Sequence, residues 1–450
     1  MRRATLLVAA LLIAAPAWGV TIEELPNGAR LVAIQSPSTY ASGFAVLVDA
    51  DPSDEGYLPG LRALLARASL SGVEGTDPRQ VLERLQAVSL IGGQVTTFAD
   101  DDAMVMGVSG PPEIAENALG ILSDALLRPS FTQPALDAAV RETIDDAERQ
   151  GGDRFYSLLS QVRGVLHPVV PATSPVGTVG GLRATTVEDL QAAHKRLMVG
   201  SRVVCVAVGP GPESEMLDSL RSVAAPLPPG EAKPPATPTW EPASPIWRTH
   251  VTEDHEGRLA LLLMAFGVPN TGSDAWPAVE MLREMLGGPA GRLTRSPRLL
   301  QYAPTVQVFL IPRTRYSELV ILAATPMAWR LEALRLEVFD CLEELAAEPL
   351  ARPEVEAARR RLLGGYALRH QPVLGRAIEV GRTVMSGGDV EAAAHHPLEG
   401  LRQVTAEETQ AIARSYLGAE RAALAVALPA SPALDELAPP TATEPAAEGT

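Results

Sequence analysis

Two hydrophobic periods succeed each other along the chain. Closely spaced apolar residues in ARLVAIQ (29–35) and SGFAVLVDA (42–50) predict strands, and a helical spacing follows over 60–71, where GLRALLARASLSG places Leu61, Leu64 and Leu65 on one face. A second helix is predicted over 77–89. Strands GQVTTFAD (93–100) and AMVMGVSG (103–110) come next, then helices over 113–127 and 133–150. The second part of the chain repeats this course. RLALLLMAFGV (258–268) leads to a helix over 276–286, then to strands TVQVFLI (305–311) and ELVILAAT (318–325), then to long helices over 328–347 and 353–370. Strands grouped ahead of helices predict α+β layers, not a doubly wound sheet.

The repetition extends to the residues themselves. GLRATTVEDLQAAHKRLMVGSRVVCVAVGP (181–210) lies without gaps on GLRQVTAEETQAIARSYLGAERAALAVALP (400–429) at an offset of 219, with nine of thirty positions identical. This predicts a duplicated domain. Residues 225–245 carry eight prolines and predict an extended, semi-rigid connector between an N-terminal domain (20–224) and a C-terminal domain (246–430). The last residues, 431–450, are poor in bulky apolar side chains and predict a disordered tail.

At the other end, MRRATLLVAALLIAAPAWG (1–19) sets two arginines before an apolar run and ends in small residues. It predicts a secretory signal peptide, too short to span a bilayer comfortably. The chain is expected to be exported, to the periplasm in a cell with an outer membrane. Loss of the two leader arginines takes the formal charge from −16 to −18. So acidic a chain repels nucleic acid and anionic membranes. Only Cys205 and Cys341 are present, one in each half, which predicts two buried free thiols and no disulfide scaffold.

The opening LPNGARLVAIQSPSTYASGFAVLVDADPSDEGYLPGLRALLARASLSG, the segment HPVVPATSPVGT (167–178) and the segment LREMLGGPAGRL (282–293) are together similar to the pitrilysin/insulinase family of zinc peptidases, the inverzincins. The resemblance covers nearly the whole mature chain. It implies an α+β fold of two homologous domains of antiparallel sheet plus helices, forming half of a clam shell.

In that family the first helix carries His-x-x-Glu-His, whose two imidazoles share a zinc ion while the Glu polarises the bound water. Laid on this pattern, GLRALLARASL puts Ala63 and Arg67 at the histidines and Ala66 at the general base. The resemblance further implies a downstream carboxylate at Asp146, or at Asp145, and places Ala139 where a supporting glutamate would stand. A guanidinium has no lone pair for zinc. Arg67 is instead expected to pair with Asp146 or Asp145, the alternative being that both side chains are simply solvated. The family's substrate-clamping arginine and tyrosine fall on GRLTRSPRLLQYAPTVQ, where Arg298 fits the first, Pro304 occupies the second, and Tyr302 lies two positions early.

Other chemistry is poorly supported. His395 and His396 precede a proline and predict a surface turn, and the histidines of HVTEDH (250–255) fall on opposite strand faces. No Gly-x-Ser-x-Gly elbow occurs. Asp100, Asp101 and Asp102 predict a hairpin turn, lacking the glycine and distal glutamate of a calcium loop. The expected role is that of a catalytically inactive peptidase homologue, without a cofactor of its own, that completes the chamber of a heterodimer. Zinc is then expected only in an active partner subunit of the same family. Two other roles stay open: a structural or assembly protein like the core subunits of respiratory cytochrome bc complexes, and an active metallopeptidase with a relocated site.

Overall fold

Every residue of the apolar run VVCVAVG (Val203–Gly209) is buried, which requires cover on both faces of a sheet. The computed structural model describes residues 19–429 apart from 38, 167–173, 234–246, 252–258, 316, 370–371 and 396–397, and shows where that cover comes from. The predicted leader (to residue 18) and tail (431–450) lie outside the described residues.

The first half contributes strands β1 (Val20–Glu24), β2 (Arg30–Gln35), β3 (Ser42–Asp49), β4 (Gln94–Ala99), β5 (Ala103–Gly110) and β6 (Val203–Gly209), in the sheet order β1-β2-β6-β3-β5-β4. The second contributes β7 (Trp247–Val251), β8 (Ala260–Val268), β9 (Thr305–Ile311), β10 (Ser317–Thr325) and β11 (Ala423–Leu428), in the order β7-β11-β8-β10-β9. Neighbouring strands are antiparallel except for one parallel pair in each sheet, β2 with β6 and β7 with β11. The duplication is thus visible in five strands of each sheet, β1 being an addition at the edge of the first. It also recurs in local chemistry: Thr186 with Asp189, and Thr405 with Glu408, form equivalent capping boxes at the offset of the sequence repeat.

Helices α1 (Leu61–Ala68), α2 (Pro78–Leu90), α3 (Ala115–Leu127), α4 (Gln133–Gly152), α5 (Arg154–Leu166), α6 (Val179–Ala184), α7 (Val187–Leu197) and α8 (Glu213–Ala224) belong to the first half. The second half holds α9 (Trp276–Gly287), α10 (Arg292–Arg295), α11 (Pro297–Leu300), α12 (Leu331–Ala347), α13 (Arg352–Arg369), α14 (Val373–Met385), α15 (Val390–His395), α16 (Glu399–Gln403) and α17 (Ala406–Tyr416). The first helix is shorter than the predicted 60–71, because Gly60 is its left-handed N-cap and the chain turns after Ala68. On the inner face of the first sheet, Val46, Met106 and Cys205 pack against Leu64, Leu122, Leu190 and Leu220. The second sheet does likewise with Met264, Phe266 and Leu319 against Leu282, Leu342, Leu362 and Ile412. Cys205 and Cys341 are both buried and unpaired.

Helices α5 and α14 have no counterpart among the elements predicted from periodicity, and they explain the doubly buried strands. Helix α14 of the second half lies on the outer face of the first sheet, where Val373, Ala377, Val380 and Val384 meet Val32, Leu47, Val105 and Val206. Helix α5 of the first half lies on the outer face of the second sheet, where Leu158, Leu159 and Val162 meet Leu263, Val320 and Ala425. The offset of 219 carries α5 residue for residue onto α14, so the halves exchange equivalent helices. The approach of α14 is close, with a glycine on each side of the contact. A Cβ at Gly107 would lie 2.6 Å from Leu374, and one at Gly381 would lie 2.4 Å from Leu47. Because each half buries a sheet face that only the other covers, neither holds a complete core of its own.

The Pro-rich segment, predicted to run as an extended, semi-rigid connector, begins docked on the first half. Asn27 Nδ2 donates to the carbonyls of Ala224 and Leu227 at 2.9 and 3.0 Å, and Lys233 Nζ lies 2.7 Å from Asp51 and 2.6 Å from Asp54.

Candidate functional site

The placement of α1 begins in the acidic loop before it. Asp51 caps the short turn Pro52–Glu55, and the Glu55 carboxylate then accepts from the N–H groups of Gly60 at 3.1 Å and Arg62 at 3.3 Å. A carboxylate there satisfies free amides at a helix N-terminus, where the helix dipole favours negative charge. The same carboxylate receives Arg62 Nε at 3.1 Å, with the arginine side chain fully buried. Burial pushes the Glu55 carboxyl above its usual range, against the pull of Arg62 and the two amides. From the other side comes the Pro-x-Gly-Thr turn. Gly177, at φ 82°, presses on Gly60, at φ 101°, so closely that a Cβ on Gly177 would fall 2.3 Å from the Gly60 Cα. Residues 167–173 of the HPVVPATSPVGT segment lie outside the described residues.

Helix α1 is therefore held rigidly, and its face toward α4 carries Ala63, Ala66 and Arg67. Ala63 and Ala66 are buried in the first core, as is Ala139 on α4. Arg67 Nη1 donates to Thr143 Oγ1 at 2.8 Å, and its Nη2 forms an ion pair with Asp146 Oδ2. Thr143 Oγ1 in turn donates to the Ala139 carbonyl at 2.7 Å. Asp146 also pairs with Arg149, one turn further along α4. Burial acts to raise the Asp146 pKa, but hydrogen bonding and charge from Arg67, then from Arg149, hold it below the ordinary aspartate value. Asp145, the other carboxylate weighed from the sequence, points to solvent and takes no part in this contact.

These residues do not fit a zinc ion. Two methyl groups and a guanidinium offer no donor, and the one carboxylate is engaged by two arginines. Among the described residues no group of three or more His, Cys, Asp or Glu side chains is arranged to hold a metal ion. On the far side of the pair, Thr97 Oγ1 of β4 donates to the Ala66 carbonyl at 3.0 Å, which ties the edge strand to the helix.

The second half's candidate residues are occupied elsewhere. Arg298 on α11 pairs with Glu344 at 2.5 Å and Glu337 at 3.5 Å, both on α12. Tyr302 packs on the second core beneath Arg330, whose guanidinium carbon stands 5.3 Å from the ring centroid. The Arg298 side chain remains about half exposed beside these carboxylates. Of the histidines, His250 lies on β7, while His255 and His396 fall outside the described residues. His194 is half-buried against the Leu126 carbonyl at 2.9 Å, and burial holds its pKa below the usual value.

One cluster is absent from any motif. Asp100, Asp101 and Asp102 do form the turn between β4 and β5, but they face arginines brought from both exchanged helices and from the β9–β10 loop. A run of three acidic residues in a hairpin signals only a turn. Its partners lie up to 282 positions away, beyond any sequence pattern.

Comparison with known proteins agrees with this geometry. The family model described as Insulinase (Peptidase family M16) matches residues 30–161, and that described as Peptidase M16 inactive domain matches residues 184–362. A search of curated proteins finds no match. Among solved structures, the peptidase M16 inactive domain from Pseudomonas fluorescens superposes with a TM-score of 0.77 at 19% identity, over 91% of this chain and 97% of that one. A protease from Helicobacter pylori gives 0.78 at 14% identity, over 92% and 100%. With the two family models together matching most of the chain, and no His-x-x-Glu-His anywhere in it, the chain belongs to the insulinase family, peptidase M16, as a member without the catalytic motif.

Proposed function

We propose that this protein is the non-catalytic subunit of an exported zinc peptidase, completing the chamber around a partner of the same family that carries the intact motif. The observation that carries this reading is the replacement of the metal site by a packed contact. Ala63 and Ala66 are buried, and Arg67 spans the gap to Asp146, so the helix keeps its structural role while its chemistry is gone. The exchange of α5 and α14 supports it as well. Each half shields the other's outer sheet face, so the two halves act as one shell, which fits a chamber completed by another chain. Zinc belongs to the partner in this reading, and each chain would carry its own leader to the periplasm.

Co-expression with an exported family member bearing His-x-x-Glu-His, encoded beside it, is the direct test. A complex that cleaves peptides, with neither activity nor metal in this chain alone, is the expected result. A chain that stays monomeric beside every such partner, or that cleaves peptides when pure with stoichiometric zinc, overturns the proposal.

A further inference from the structure

The contact between the halves is built around a carboxylate with no solvent to stabilise its charge. The Asp102 side chain is 4% exposed and receives the Thr314 amide of the β9–β10 loop at 2.9 Å. Three guanidiniums converge on the same turn. Arg382 of α14 pairs with Asp100 and lies 3.9 Å from Asp102, while Arg313 of the β9–β10 loop is 2.9 Å from Asp101 and 3.5 Å from Glu318. Arg163 of α5 is 3.1 Å from Glu318 and 3.5 Å from Asp101. The neighbouring acidic loop is balanced within itself: Arg315 and Lys233 take up Asp49, Asp51 and Asp54 with Arg202, and Arg62 takes up Glu55. Arg382 and Arg313 thus pair closely with Asp100 and Asp101, while Asp102 keeps the Thr314 amide and the more distant Arg382.

We propose that Asp102 is a proton-binding site within the contact between the two halves, and that proton uptake there tightens the contact. Protonation removes the repulsion from Asp100 and leaves one oxygen still free to accept from Thr314 N–H. Burial first, and then the charge of Asp100, pushes the Asp102 carboxyl up to about 6, against the opposing pulls of Arg313, the Thr314 amide and Arg382. A folded-state value above the unfolded one near 3.8 means that the folded chain binds the proton more tightly. The stabilisation is fully present below the unfolded value and is lost as pH rises through the folded one. Mild acid therefore strengthens this interface, opposite to the usual behaviour of a paired carboxylate.

Asp102→Asn mimics the protonated state and isolates the effect, because the upward-shifted Glu55 is common to both proteins and cancels in their ratio. Denaturant unfolding at pH 6.5 and pH 4.5 is expected to raise the ratio of wild-type to Asp102→Asn folding constants by about 20-fold. Hydrogen exchange of a peptide covering 312–318, corrected for intrinsic rates, should gain protection on acidification in the wild type only. A ratio that does not move with pH, or a segment whose protection stays level or falls, overturns the proposal. So does an Asp102→Asn chain that fails to fold at neutral pH, since the negative charge would then be what holds the contact.

Discussion

Arg67 of α1 reaches Asp146 of α4 where the family's geometry would set a histidine against a carboxylate, and Thr143 Oγ1 accepts the second guanidinium nitrogen at 2.8 Å. Both side chains are about a quarter exposed, and Asp146 keeps Arg149 as a second partner. Arg67→Ala is thus expected to cost no more than about 1 kcal/mol in denaturant unfolding. A loss of several kcal/mol would show that the pair holds the fold and does not merely fill the site. Elemental analysis of the purified protein should find zinc well below one equivalent.

The Glu55–Arg62 pair is a different case, because water reaches neither charge. Glu55→Ala leaves a buried guanidinium opposite a void and is expected to destabilise by about 3–5 kcal/mol. Adding Arg62→Met should recover a large part of that loss. If the double substitution is as unstable as the single one, the N–H groups of Gly60 and Arg62 are what require the carboxylate, and the pairing matters little.

Exchange of α5 and α14 predicts cooperativity between halves that look separable in sequence. Calorimetry should give a single transition, and a fragment ending at 233 should fail to fold because Leu47, Val105 and Val206 lose their cover. Leu158→Ala, on the first half's helix but beneath the second half's sheet, should cost about 2–5 kcal/mol and lower the melting of both halves together. Two resolved transitions would refute the coupling.

Acid should release the docked start of the Pro-rich segment. Burial acts to raise the pKa values of Asp51 and Asp54, but Lys233, with Ser53, Arg202 and Arg315 nearby, lowers both below the ordinary 3.8. Groups with depressed folded values contribute stability above 3.8 that is lost as pH falls through those values. Residues 227–233 should therefore become accessible to an acid protease below about pH 3.8 and stay protected above it. Lys233→Met should expose them at neutral pH as well.

The amino-acid pattern alone carried the central strands, the longer helices of each half, the duplication and the lack of a His-x-x-Glu-His motif, because each is a matter of spacing within a few residues or of alignment to a repeat. It narrowed the carboxylate only to Asp145 or Asp146, which stand 100° apart on a helix; the packing of α4 against α1 decided for Asp146. Helices α5 and α14 were illegible for a related reason. Their apolar stripes fix that something is covered but not what, and the sheets they cover belong to the opposite half. The charges followed the same division. Asp100–Asp102 shows locally as a turn, while the arginines that make it an interface come from residues 163, 313 and 382, brought together only when the exchanged helices close both sheets. Hydrophobic periodicity is local and survives in the sequence; the pairing of buried charges depends on which surfaces meet, and that is settled only by the folded chain.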